Sequence, residues 1–189
     1  MGRRAELVDE TRQRITEATV RLHTTIGPAH TSIAGVAEEA GVTRLTVYRH
    51  FADLDELFEA CQAHWVAHNP RPDVSAWTAI SDLPARAERA FTELYAWYGD
   101  HAAELAPIYR DWEAMPSSSQ ARTAASNREL ADALVTGFAG SGSENGRVLV
   151  AVARHLTDFS TWRSLVAYQG LDQATAVKTA VRLLLAMLA

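Results

Sequence analysis

Thr31-Ser-Ile-Ala-Gly-Val-Ala-Glu-Glu-Ala-Gly41-Val-Thr-Arg-Leu-Thr-Val-Tyr-Arg-His-Phe51 is the stretch whose reading decides the fold. Ile33, Val36, Ala37 and Ala40 recur at three- and four-residue spacing, the stripe of a short amphipathic helix, with Thr31 and Ser32 before it as N-cap acceptors. Gly41 ends that helix, because the residue past a helix end often needs a left-handed backbone that glycine adopts without a Cβ clash. Val42 then fills the corner, and Thr43 caps a second short helix over Arg44 to His50.

At roughly 100° per residue, Val47 and Phe51 of the second helix face the first helix, and Leu45 and Arg49 face away. Thr46 and Tyr48 flank the outward side, while Arg44 and His50 stand at its margins. Such a face offers the donors that base edges and phosphates accept, and a helix of this kind fits a DNA major groove. A plain helical hairpin with a solvated polar face is the competing reading, and the residues around the hairpin decide between them.

Residues 5–68 resemble the N-terminal DNA-binding domain of the TetR family of bacterial regulators. The resemblance rests on a long first helix ending near Gly27, the Thr31-Ser32 start, the Ala40-Gly41-Val42-Thr43 hinge, Tyr48-Arg49-His50-Phe51, and a fourth helix opening at Asp53. It departs from the pattern at Leu54, where relatives commonly carry a phosphate-binding lysine, and at Leu45, where a small residue is frequent. Leu45 is therefore expected to meet a thymine methyl group. The resemblance implies an all-α fold: an N-terminal three-helix helix-turn-helix domain with a fourth connecting helix over 1–68, and a C-terminal helical bundle for ligand binding and dimerisation over 69–189. It implies a ligand-responsive repressor, bound to a palindromic operator as a homodimer and released by a small-molecule effector. The expected DNA contacts are Arg3, Arg4, Thr31, Ser32, Thr43, Arg44, Leu45, Thr46, Tyr48, Arg49 and His50.

The chain carries a net charge of −5, which first argues against nucleic acid. Its distribution is less hostile. Residues 1–52 hold seven arginines (3, 4, 12, 14, 21, 44 and 49) against six acids, and the remainder holds 11 basic and 17 acidic residues. Few phosphate contacts per subunit, and a shallow salt dependence, are expected. Arg3 and Arg4 are read as a short tail reaching a neighbouring groove or phosphate.

The chain's 189 residues, 48% of them hydrophobic, are enough to bury a real core. There is no apolar run near the ~20 residues of a membrane span, no secretory pattern behind Met-Gly-Arg-Arg, and one cysteine, so a cytoplasmic protein without membrane contact is expected. Val8, Ile15, Ala18, Leu22 and Ile26 mark the first helix, and Leu54, Phe58, Cys61 and Trp65 the fourth. Asn69-Pro70-Arg71-Pro72 breaks the pattern and is taken as the domain boundary. Further helices are predicted over about 84–99, from Leu105 to before Pro116, toward Phe138, and over about 147–169 and 172–188, with a flexible connection at 139–146. The last two helices are apolar over a wide arc, which needs more than one partner and points to a dimer-forming bundle.

Candidate effector contacts are Trp97, Tyr109, Trp112, His155, Asp158, Phe159, Trp162 and Arg163, although aromatics at helical spacing more often fill a core. Cys61, His64 and His68 share a helical face at metal-ligand spacing, yet Cys61 is better explained as core, so no metal and no cofactor are expected. No His-Glu-x-x-His or paired-carboxylate pattern supports catalysis. The alternative is an all-α small-molecule or metal-binding protein, or an enzyme, whose N-terminal hairpin is only structural.

Overall fold

The computed structural model describes residues 2–138 and 143–188, with side chains from Leu7 onward. The chain divides into two compact units, one of Met1–Pro70 with Ala103–Arg122, the other of Arg71–Ala102 with Thr123–Ala189. All regular elements among the described residues are helical.

The first unit is built on α1 (Gly2–Thr25), α2 (Ile33–Glu39), α3 (Arg44–His50) and α4 (Leu54–His68). Ile15, Ala18, Val36, Ala37, Ala40, Val47, Phe51 and Leu57 form its core, with Leu22, Ile33, Val42 and Ala60 packed at the edge. The stripes differ from the predicted ones at their ends. Val8, Ile26 and Leu54, each at an end of its stripe, are exposed. Cys61 is buried as expected, and Leu57, which the predicted stripe lacked, joins it on the buried side of α4.

A histidine completes that α1–α4 contact. His23 is buried, its ring 4.4 Å from that of Phe58 and its Nδ1 3.5 Å from the Cys61 Sγ. Burial lowers the His23 pKa to about 4 and raises that of Cys61 to about 12. Below its ordinary pKa the unfolded chain takes up a proton at His23 that the folded chain refuses, so stability falls with pH from about 6.5 toward 4 and is level above. We expect urea unfolding at about pH 5 to show a loss of roughly 2 kcal/mol relative to pH 7, and His23→Gln to flatten that slope. An unchanged slope in His23→Gln would assign the acid sensitivity to other groups.

The first unit also holds α7 (Ala102–Arg110) from Ala103 onward and the start of α8 (Ser117–Val135). Trp65 Nε1 donates to Glu104 at 2.6 Å and Arg122 Nε to Gln62 at 3.0 Å, fixing both segments to α4. Gly27 closes α1 with φ 94° and ψ 159°. Beside it Arg110 Nη2 donates to the Ile26 carbonyl at 2.7 Å, and the Ala29 N–H donates to Asp111 at 3.1 Å.

The second unit packs α5 (Val74–Thr78), α6 (Leu83–Asp100), the rest of α8, α9 (Glu144–Leu156), α10 (Phe159–Arg163) and α11 (Gln173–Leu185). The short α5 was not foreseen. Asp73 caps it by accepting the Ser75 N–H, and its Trp77 is fully buried. The single helix expected over 147–169 is broken at Thr157–Asp158. Tyr95 and Tyr98 of α6 donate their hydroxyls to the Leu156 and Thr157 carbonyls, at 2.9 and 2.7 Å, which satisfies the end of α9. Asp158 then caps α10, and a short π-helix over Ser164–Tyr168 follows. Gly146, expected in a connection, lies inside α9, whose N-cap is Ser143. Residues 139–142 of that expected connection lie outside the described residues.

Candidate nucleic-acid interface

The hairpin is held by its own sequence. Ser32 accepts the Gly35 N–H at 3.1 Å and Thr43 accepts the Thr46 N–H at 3.1 Å, one cap for each helix. Thr31 is not the N-cap of α2; its hydroxyl donates to the Gly27 carbonyl at 2.9 Å. Gly41 takes φ 65°, as the turn requires, and a Cβ there would stand 3.3 Å from the Arg14 guanidinium.

On α3, Val47 and Phe51 are each 1% exposed, whereas Leu45 is 69% and Tyr48 58% exposed. Burying such side chains contributes roughly 2 kcal/mol each, which fixes which way the helix faces. Arg44 and Arg49 are exposed as well, and Thr46 and His50 are half-buried. The residues expected on the outer face are therefore on it. Thr43 and Thr46 share a hydroxyl contact of 2.9 Å, so one of the two O–H groups is spent within the protein. His50 is held below the ordinary histidine range by partial burial, then by the charges of Arg49 and Arg12, so it adds no cation at neutral pH. The side chains of Arg3 and Arg4 lie outside the described residues.

The count of seven arginines stands, but among the described residues Arg12, Arg14 and Arg21 are engaged within the protein. Arg12 donates to the His50 carbonyl and, at 2.9 Å, to Glu56, with its guanidinium 4.1 Å from the Phe51 ring centre. Arg14 donates to the Ala40 carbonyl at 2.6 Å, and Arg21 to Glu39 at 2.8 Å. Arg12 and Arg14 thus satisfy the carbonyls at the ends of α3 and α2, a task sequence reasoning missed. The available signal was that neither short helix supplies its own C-terminal partner.

The candidate effector residues fall in both units. Phe159 and Trp162 are buried with Tyr98, ring centres 5.4 and 5.9 Å away, and Trp97 packs on the same tyrosine at 5.5 Å. Tyr109 and Trp112 stack on each other at 6.1 Å in the first unit. His155 and Asp158 line an open depression of about 350 Å³ with Thr161, Ser164, Leu165 and Leu183. Arg163 lies over the Tyr168 ring at 5.3 Å. Among the described residues no cluster of three or more His, Cys, Asp or Glu could hold a metal ion. Cys61 turns toward His23, and His68 bonds the His64 carbonyl at 2.8 Å.

Residues 15–61 match the model of a family described as bacterial regulatory proteins, tetR family. The HTH-type transcriptional regulator AcrR of Shigella flexneri is 45% identical over 49 residues, 26% of this chain and 23% of that protein, so the match spans about a quarter of the relative. A tetR-family transcriptional regulator from Streptomyces coelicolor superposes with a TM-score of 0.62 at 17% identity, over 95% of this chain and 80% of that one. The multidrug binding protein EbrR, complexed with imidazole, does so with a TM-score of 0.61 at 28% identity, over 92% and 89%. From the hairpin built on Ser32, Gly41 and Thr43 and from these likenesses, residues 15–61 are similar to the matching segment of the tetR family of bacterial regulatory proteins, and the chain shares the all-helical fold of such regulators.

Proposed function

We propose that the protein is a transcriptional repressor that binds a palindromic operator as a homodimer through the outer face of α3 and is released by a small-molecule effector. The observation that carries this reading is the two-sided burial of α3: Val47 and Phe51 fully inside, Leu45, Tyr48, Arg44 and Arg49 outside. Leu45 offers an apolar contact to a thymine methyl group, and Arg49 and Tyr48 offer donors to bases or phosphates. Thr31, Ser32, Thr43 and Thr46 bring hydroxyls to the same hairpin. Residues 1–68 would carry the DNA function, residues 69–189 effector binding and dimerisation.

The dimer is supported by α9 and α11, each of which is apolar on two sides. Leu149, Ala153 and Leu156 of α9 and Ala176, Ala180 and Leu184 of α11 point into the second unit, whereas Val148 and Leu183 remain about half exposed. A second copy would cover them, and two α3 helices ~34 Å apart would read the two halves of a palindrome. The effector reading is supported by the likeness to EbrR, a multidrug binding protein. That no described helix is long and apolar enough to cross a membrane agrees with a cytoplasmic regulator.

Selection of duplexes from a random pool, alongside the DNA flanking the protein's own gene, tests the proposal. The parent should retain a palindrome. Arg49→Ala and Tyr48→Phe should each weaken it by about 1 to 3 kcal/mol at unchanged helicity, with a shallow salt slope because Arg12, Arg14 and Arg21 are engaged within the protein. A parent indifferent to every duplex would remove the DNA reading, and variants equal to the parent would remove this assignment of the face.

A further inference from the structure

We infer that Arg12 is a positioning residue for operator recognition: it sets the orientation of α3 from α1 without itself touching DNA. The inference rests on the DNA-binding reading above and names a residue of that site which lies outside the exposed face.

The geometry is specific. The Arg12 guanidinium spans three elements at once, donating to the His50 carbonyl at the end of α3 and to Glu56 in the first turn of α4. Glu56 uses its other oxygen to accept the Ala52 N–H at 2.7 Å, in the link between those helices. The Ala52 N–H and then the Arg12 guanidinium hold the Glu56 carboxyl below the usual carboxylate range, so the clamp stays charged. The guanidinium also lies over the Phe51 ring, whose side chain anchors α3 in the core. A lysine cannot reproduce this, since a planar fork can serve two acceptors and cover a ring while an ammonium is a point donor.

A helix of seven residues has little rigidity of its own, and Arg49 and His50 stand directly beside the clamped carbonyl. Releasing that carbonyl lets the last turn of α3 fray, which moves Arg49 and Tyr48 relative to the base edges they must meet. A misplaced recognition side chain loses sequence discrimination, while phosphate attraction, being long-ranged, survives.

The test compares the full-length parent with Arg12→Met, which keeps the aliphatic stem over Phe51, and Arg12→Lys, which keeps the charge. Affinity for the selected operator and for an unrelated duplex is measured across a salt series, with a thermal melt of each variant. Both variants should bind the operator about tenfold or more weakly, with the unrelated duplex bound as before and the operator salt slope unchanged. If Arg12 instead touches a phosphate, Arg12→Met will lose both duplexes in parallel and its slope will fall by about one, which overturns the inference. Operator affinity equal to the parent's in the folded fraction, even with a lower melting temperature, makes Arg12 merely structural and overturns it too. A parent that binds no duplex removes the DNA-binding reading and this inference with it, an outcome distinguishable because the parent itself then fails.

Discussion

Gly27→Ala should cost roughly 3 to 5 kcal/mol of stability, enough to threaten the folded first unit. With φ 94° and ψ 159°, this residue occupies a region that is open almost only to glycine. A Cβ would also stand 2.2 Å from Asp111 Oδ2 and 2.4 Å from Arg110 Nη2, far inside contact distance. Both groups would have to withdraw. Asp111 would then release the Ala29 N–H, and Arg110 the Ile26 carbonyl, undoing what fixes the end of α1 to the end of α7. The steric share is separable, because Asp111→Ala should lower the further cost of Gly27→Ala in a double-mutant cycle while the backbone share remains. Urea denaturation of the four proteins measures it. A single-mutant loss below about 1 kcal/mol would mean that the backbone relaxes at this position as well as the Asp111 carboxylate, and that the junction adds little.

Arg86→Met should destabilise the second unit by a similar amount, about 3 to 5 kcal/mol. Arg86 is 4% exposed, and its guanidinium donates to the carbonyls of Ile80, Thr78, Ala133 and Thr136 at 2.7 to 3.3 Å. These oxygens lie at and just past the ends of α5 and α8, where the helix dipoles are negative, so carbonyls at helix ends take the place of a carboxylate partner. Methionine restores volume but leaves several acceptors unpaired in the interior. Lysine should rescue only partly, since one nitrogen cannot reach both helix ends. Thermal and urea melts of Arg86→Met and Arg86→Lys check this. A methionine variant as stable as the parent would show that water reaches these carbonyls.

The hairpin was legible because its signals are local: two caps, one left-handed glycine and a hydrophobic stripe lie within the stretch that they specify. The same locality explains the correct side for Val47, Phe51, Leu45 and Tyr48. What sequence reasoning missed depends on partners far along the chain. The break between α9 and α10 is imposed by Tyr95 and Tyr98, some sixty residues upstream, and nothing in Leu156-Thr157-Asp158 forces it except a possible cap. Arg12 and Arg14 read as free cations because an arginine on a helix carries no mark of the carbonyl that it will find. Arg86 was unremarkable for the same reason. The aromatics of the second unit were legible as core by their spacing, and which of them an effector would touch is set by packing that no periodicity encodes.

The closed contact between α1 and α4 gives this chain a built-in clock. Its only cysteine sits within it, shielded from solvent and with too little thiolate to react. A maleimide or disulfide reagent can therefore label the native protein only during excursions that part these two helices. The labelling rate would report how often they separate, with no engineered probe needed.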